Sequence, residues 1–140
     1  ITTDPLDPTL FDATAAAAGK ALQQANITLD SLGLLELHDC FTITALIALE
    51  SIGLAEKGRA GERISAGWFG PQGRLPTNLS GGLGGFGHPV GASGVRQLVD
   101  LLHQFTGQAA FQSQPVHPCG LMISMGGNDI TVTAVVVRSP

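Results

Sequence analysis

Seven glycines fall between Leu79 and Gly94: Gly81, Gly82, Gly84, Gly85, Gly87, Gly91 and Gly94. So dense a run allows positive φ and lets backbone come close to other atoms, and it disfavours any long regular element. A fold that accepts it must pack patterned elements around a glycine-built loop. The residues with chemistry to offer lie at two such handovers. His38-Asp39-Cys40-Phe41 ends an apolar run, and Gly87-His88-Pro89 lies inside the glycine stretch.

The rest of the pattern sets the expected architecture. Pro8 to Ala25 reads as a helix with Leu10, Ala13, Ala17, Ala21 and Leu22 near one face, Asp7 as its cap and Pro8 at its first position. Leu34-Leu35-Glu36-Leu37 reads as a short strand that delivers His38 at its end. Thr42 to Leu54 reads as an apolar helix buried between layers, through Ile43, Leu46, Ile47, Leu49 and Ile52. Arg59 to Pro76, with the lone Trp68, reads as an irregular excursion. A third helix is expected from about Val90 or Gly91 to Phe105, packing through Val95, Leu98, Val99, Leu101 and Leu102. Leu121–Ser124 and Ile130–Val137 are expected strands of an antiparallel hairpin around Met125–Asp129, with Val135-Val136-Val137 buried on both faces. This order predicts an α/β class: a mixed sheet with helices on both faces, formed by one domain over residues 1–140.

Composition narrows the function classes. With 140 residues the chain can bury a core of its own, since a domain of this size hides roughly 68–70% of its unfolded surface. Its 13% charged residues fall well below the usual value of about 25%, which points to a surface partly covered by more protein. Net charge is −4 with scattered lysines and arginines, so no nucleic-acid partner is expected. No apolar run suits a membrane span. Ile1-Thr2-Thr3-Asp4-Pro5 has no leader pattern, and the missing initiator Met suggests a start inside a larger reading frame. Cys40 and Cys119 read as reduced thiols, which makes cytoplasm or an organelle matrix the expected compartment.

His38 and Cys40, two residues apart, project to the same side if extended, and Cys40 stands at the mouth of the Thr42 helix. Helix N-terminal amides favour a thiolate there, while Asp39 points the other way and could cap that helix. His88 lies directly before a helix, with Pro89 restricting its backbone. Thiol, imidazole and amide donors are what acyl-thioester chemistry requires. Read singly, each residue also suits a plain role: a buried small thiol, a satisfied polar histidine, a loop histidine bonded to main chain. Gly82-Leu83-Gly84-Gly85-Phe86-Gly87 fits the dinucleotide fingerprint, but no hydrophobic strand precedes it and Asp100 falls inside a helix. A zinc site from His38, Cys40 and His88, completed by Asp39 or Cys119, lacks paired ligand spacing, so no metal is expected. His103 and His117-Pro118-Cys119 read as structural or surface residues. Phe41, Trp68, Phe69 and Phe86 suit either a pocket lining or packing.

Three segments in order carry a resemblance. Glu36-Leu37-His38-Asp39-Cys40-Phe41, then Asn78-Leu79-Ser80-Gly81-Gly82, then Gly87-His88-Pro89-Val90-Gly91-Ala92-Ser93-Gly94 resemble the C-terminal half of thiolases. The variant is the sterol-carrier-protein type, where HDCF replaces an Asn-Glu-Ala-Phe motif, and the likeness runs from about Asp7 to Val137. It implies half of a layered αβαβα fold, commonly dimeric or of higher order. It implies that Cys40 is the acid/base, that His38 and His88 form an oxyanion site with His88 assisting a nucleophilic cysteine, and that the Gly126 N–H serves a second oxyanion hole. Phe41, Phe86 and Gly87 would contact substrate. Ser124-Met125-Gly126 stands where common thiolases carry Cys-x-Gly, in keeping with Cys40 holding that role.

The resemblance also implies a partner. The nucleophilic cysteine and most of the coenzyme A loop belong to the family's N-terminal half, and a first strand is expected before Ile1. The expected activity is that of an acetyl-CoA acetyltransferase or 3-ketoacyl-CoA thiolase with a CoA thioester as substrate and no cofactor, and the 140-residue chain alone is expected to be inactive. Two alternatives stay open: a thiolase-like retro-aldolase acting on a CoA-linked side chain, and a module of the same fold that binds acyl-CoA or a protein without chemistry.

Overall fold

The structure is a computed structural model that describes residues 7–139; the Ile1–Pro5 reading lies outside the described residues. The elements are α1 (Asp12–Ala25), a 3-10 turn (Leu29–Ser31), β1 (Leu34–Leu37), α2 (Thr42–Ser51), α3 (Ala60–Ser65), α4 (Gly82–Phe86), α5 (Ser93–Thr106), β2 (Cys119–Gly126) and β3 (Thr131–Arg138). The strands form one mixed sheet in the order β1-β2-β3. β1 pairs parallel with β2, from Leu34 opposite Gly120 to Leu37 opposite Ile123. β2 and β3 form the expected antiparallel hairpin, from Cys119 opposite Arg138 to Gly126 opposite Thr131. The class is α/β, with helices on both faces.

The face covered by α1 and α2 holds the continuous core: Phe11, Leu22, Leu35, Leu37, Leu49, Leu121 and Ile123 belong to one buried cluster. The other face carries α5 over a smaller cluster of Leu34, Leu101 and Met122. Gly120 permits that approach, because a Cβ there would stand 2.9 Å from a Leu101 methyl. Met122 and Leu34 face α5, while Leu35, Leu37, Leu121 and Ile123 face the main core, as period-two alternation requires.

Several expectations shift. α1 begins at Asp12, not Pro8, and Asp7 does not cap it. Asp7 instead accepts from the Thr9 N–H and hydroxyl and from Lys57. The cap comes from Asp129 in the β2–β3 turn, whose carboxylate takes the Ala13 and Thr14 N–H groups at 2.8 and 2.9 Å and the buried Thr14 hydroxyl at 2.6 Å. α2 is not enclosed between layers, since Ile43 is exposed while Thr44, Ala48 and Leu49 face inward. α5 turns only part of its expected apolar set to the sheet, with Leu98 and Leu101 packed there. Ser93, Gln97, Leu101 and Gln104 are buried, whereas Val95 is 65% exposed and Val99 and Leu102 also face outward. The two buried glutamines are anchored, Gln97 to Ile123 O at 3.2 Å and Gln104 to Phe111 O at 2.7 Å. Val135 to Val137 pack on both faces but stay half-buried, because β3 has no neighbour on its outer edge in the described sheet. The excursion after Arg59 contains the short α3, and Phe69 is a core residue, not a pocket lining. Among the described residues no helix is long and apolar enough to cross a membrane.

Candidate active site

β1 ends where Asn78 takes over from the sheet. Leu35 bonds to Pro76 O and receives Asn78 N–H, each at 3.0 Å, in a one-residue parallel bridge to the 76–78 segment. Beyond it the Asn78 side chain imitates a strand: Leu37 N–H donates to its Oδ1 at 2.7 Å, and its Nδ2 donates to Leu37 O at 2.9 Å. Asn78 adopts φ 49°, a left-handed conformation asparagine tolerates better than most residues. The backbone is thereby held up to the residue before His38.

His38 and His88 meet. Their rings stand edge to face with centroids 5.0 Å apart. His38 is buried, and its Nδ1 has no hydrogen-bond partner. Burial first, and the neighbouring His88 second, hold its pKa below the ordinary histidine value, against a smaller pull from Asp39. The ring is therefore neutral at pH 7. Orphaned buried N–H groups are rarer than orphaned acceptors, so the proton is assigned to Nε2, which makes that nitrogen a donor. His88 is solvent-exposed, and its Nδ1 lies 2.7 Å from the buried Ser93 hydroxyl. That hydroxyl donates to Pro89 O at 3.2 Å. With its one proton so placed, it accepts from Nδ1–H and leaves the His88 Nε2 lone pair free.

Asp39 joins the two motifs and does not cap α2, whose N-cap is Phe41 without a side-chain bond. Its Oδ1 accepts the Leu83 N–H at 2.8 Å. Gly82 lies so close, at φ +60°, that a Cβ there would stand 2.0 Å from Asp39 Oδ2. Glycine is required at that point for both reasons. Cys40 is a free, half-exposed thiol at the mouth of α2, 3.8 Å from the Thr44 hydroxyl. The parallel register places Gly126 at the same end of the sheet, three residues beyond the Ile123 that faces Leu37. Among the described residues no group of three or more His, Cys, Asp or Glu side chains could hold a metal ion.

A family model for the thiolase C-terminal domain-like family matches residues 2–139. The chain belongs to that family. This thiolase C-terminal domain is 37% identical to an acetyl-CoA acetyltransferase of Methanothermobacter thermautotrophicus over 124 residues, covering 89% of this chain and 32% of that protein. It is 33% identical to human sterol carrier protein 2 over 124 residues, covering 88% of this chain and 23% of that protein. The domain thus spans about a third or less of the relatives it matches. The solved Ltp2-ChsH2(DUF35) aldolase shares the fold, with a TM-score of 0.77 at 22% identity, over 90% of this chain and 31% of that one.

The thiolase domain also contains a group that pattern reading passes over. Glu36, buried in β1 two residues before His38, has its carboxyl pushed up to about 8 by burial first, then by Asp100 and Asp39, with Arg96 acting the other way. Arg96 pairs with Asp100 at 3.0 Å, and the Ser80 hydroxyl donates to Asp100 at 2.8 Å. Glu36 lines a cavity of about 500 Å3 with Phe86, Arg96, His103 and Phe111. It also lines a smaller one of about 160 Å3 with Gly87, Pro89 and Ser93. His103, read as structural or surface, thus faces the larger cavity. The one available sign of Glu36 was an acid inside a leucine run. Phe86 lies under the Arg96 guanidinium, 3.5 Å from its ring centroid, and Phe41 stands 71% exposed.

Proposed function

We propose that this domain supplies the proton-handling and oxyanion-binding part of an acyltransferase that thiolyses 3-ketoacyl-CoA or, in reverse, condenses acyl-CoAs. The meeting of a neutral, buried His38 with His88, with the Cys40 thiol two residues along the chain from His38, carries the reading. A cysteine outside this chain attacks the 3-keto carbon, and His88 Nε2 takes its thiol proton. The C2–C3 bond breaks, and its electron pair forms the enolate of the shorter thioester. The Nε2–H groups of His38 and protonated His88 donate to that enolate oxygen, and Cys40 gives its proton to C2. Coenzyme A then attacks the acyl-enzyme, passing its thiol proton to the Cys40 thiolate, while the Gly126 N–H donates to the tetrahedral oxyanion; its collapse expels the nucleophilic cysteine, which takes its proton back from His88. Positioned donors of this kind contribute about 10²–10³ each to rate.

Phe41, Phe86 and Gly87 are assigned to substrate contact, since Phe86 and Gly87 directly precede His88 and Phe41 directly follows Cys40. The substrate is a CoA thioester and the scheme uses no further cofactor. The outward apolar face of α5, with Phe86, Val90 and Phe111, suits coverage by the remainder of a protein some three times longer. That remainder includes the N-terminal thiolase half, and a second copy completes a dimer or larger assembly. The two free thiols suit cytoplasm or an organelle matrix. The test is Cys40→Ala and His88→Ala in the full-length protein with acetoacetyl-CoA and coenzyme A. Turnover is expected to fall by about 10²–10⁴, and a change within a few-fold would refute the assignment.

The fold shared with Ltp2-ChsH2(DUF35) aldolase favours a second reading, carbon–carbon cleavage of a CoA-linked β-hydroxy side chain. That reaction consumes no coenzyme A. Cleavage that proceeds without added coenzyme A and releases a free ketone or aldehyde would select it over thiolysis.

A further inference from the structure

At the opposite end of β1 from His38 lies a cavity of about 390 Å3 that the proposed chemistry leaves unused. Arg63, Arg74 and Trp68 line it, with Asp30, Leu54 and Leu75. Both arginines are half-buried. The ion pairs among the described residues are Lys57–Asp7, Arg59–Glu62 and Arg96–Asp100, so neither Arg63 nor Arg74 has a carboxylate partner there, Asp30 included. Their bonds go to main-chain carbonyls. Arg63 Nη1 donates to Leu54 O at 2.7 Å, Arg74 Nη1 to Leu32 O at 3.0 Å, and Arg74 Nη2 to Asp30 O at 2.7 Å. A guanidinium carries about five N–H donors, so most of those on both groups remain unspent. The Arg63 guanidinium lies over the Trp68 ring, 4.3 Å from its centroid.

Half-buried charge without a counter-charge is costly, and two such forks at one cavity repel each other. An anion bound in the cavity lowers both costs, and outweighs the single Asp30 carboxylate in the lining. Carbonyl anchoring and ring stacking hold the forks in place, so little side-chain entropy is lost on binding. Planar forks match phosphate oxygens two at a time. A volume of this order accepts more than a single tetrahedral ion. We propose that the Arg63–Arg74–Trp68 cavity is a binding site for a compact phosphate-class polyanion, either free or as the tail of a nucleotide.

The chain contains one tryptophan and no tyrosine, so Trp68 reports on the cavity directly. The experiment is a fluorescence titration of the chain at low salt with pyrophosphate, ADP and, as an uncharged control, adenosine. Pyrophosphate is expected to give a saturable change that weakens with added salt, and adenosine none. A tighter response to ADP than to pyrophosphate would mark a nucleotide tail as the source, and the reverse order a free polyanion. Arg74→Gln is expected to weaken binding at least about tenfold. Lys20→Gln on exposed α1 removes the same charge elsewhere and should leave it unchanged. Should Arg74→Gln fail to fold for want of its carbonyl bonds, Arg63→Gln followed by calorimetry carries the same expectation without relying on the ring. The proposal is overturned by no saturable response up to about 10 mM pyrophosphate. Equal weakening by Lys20→Gln, an equal response to adenosine, or unchanged affinity in a folded arginine variant would also overturn it.

Discussion

The two faces of the sheet are finished to different degrees. Under α1 and α2 a continuous core runs from Phe11 to Met125, and even the polar Thr14 is fully buried and bonded. Under α5 the core reduces to Leu34, Leu101 and Met122, a serine and two glutamines share the buried side of the helix, and valines and a leucine look outward. Both candidate-site histidines and Glu36 border this second face. The closed face carries stability. The open face carries polar and titratable groups, together with apolar surface that further protein could cover.

The sharpest way to break this contrast is substitution in each face. Leu121→Ala, fully buried in the central strand, is expected to destabilise the chain by about 3–5 kcal/mol in urea unfolding. Equal loss from Leu102→Ala on α5, expected within about 0.5 kcal/mol, would mean that the open face is as fully packed.

Glu36→Gln tests the open face through pH. The folded-state pKa of about 8 exceeds the usual 4.5, so the folded chain holds the proton more tightly than the unfolded one. Stability from this group is complete below pH 4.5 and is lost as pH rises through 8. The glutamine variant is therefore expected to match the wild type near pH 4.5 and to exceed it by about 3–5 kcal/mol at pH 9. A pH-independent difference would contradict the burial argument.

Asp129→Ala is the smaller effect on the closed face. It frees two N–H groups and a buried hydroxyl at the start of α1, and a loss of about 1–3 kcal/mol is expected in thermal or urea unfolding. Asp7→Ala, on an exposed turn, should move the same measurement by less than about 0.5 kcal/mol. The reverse order would restore Asp7 as the functional cap.

Those two aspartates show how far the sequence could be read. Strand β1 was legible to the residue, and the hairpin and three long helices nearly so, because period and turn chemistry are local signals. The cap of α1 was not, since Asp129 reaches it from more than a hundred residues away while Asp7 stands at a plausible local spacing. The packing face of α5 was legible in Leu98 and Leu101 but not in Val95, Val99 and Leu102, for a related reason. Its apolar stripe obeys helical period, but which part of it meets the sheet depends on Gly120 and on Gln97, which bonds across to Ile123 O. At the site, His38, Cys40 and His88 were visible through their motifs. Asp39 as the latch on Leu83, Asn78 as a substitute strand and Glu36 as a neutral carboxyl were not, because each acts through a partner distant in the chain.

The central claim is that Cys40 moves a proton to and from the α-carbon of a CoA thioester. In the full-length protein, exchange of the acetyl-CoA methyl protons with D2O can be followed by mass spectrometry without any carbon–carbon bond being made or broken. Cys40→Ala is expected to lower this exchange by about 10²–10⁴, and His38→Ala by about 10²–10³ through loss of an enolate donor. Exchange in Cys40→Ala within a few-fold of wild type would contradict it.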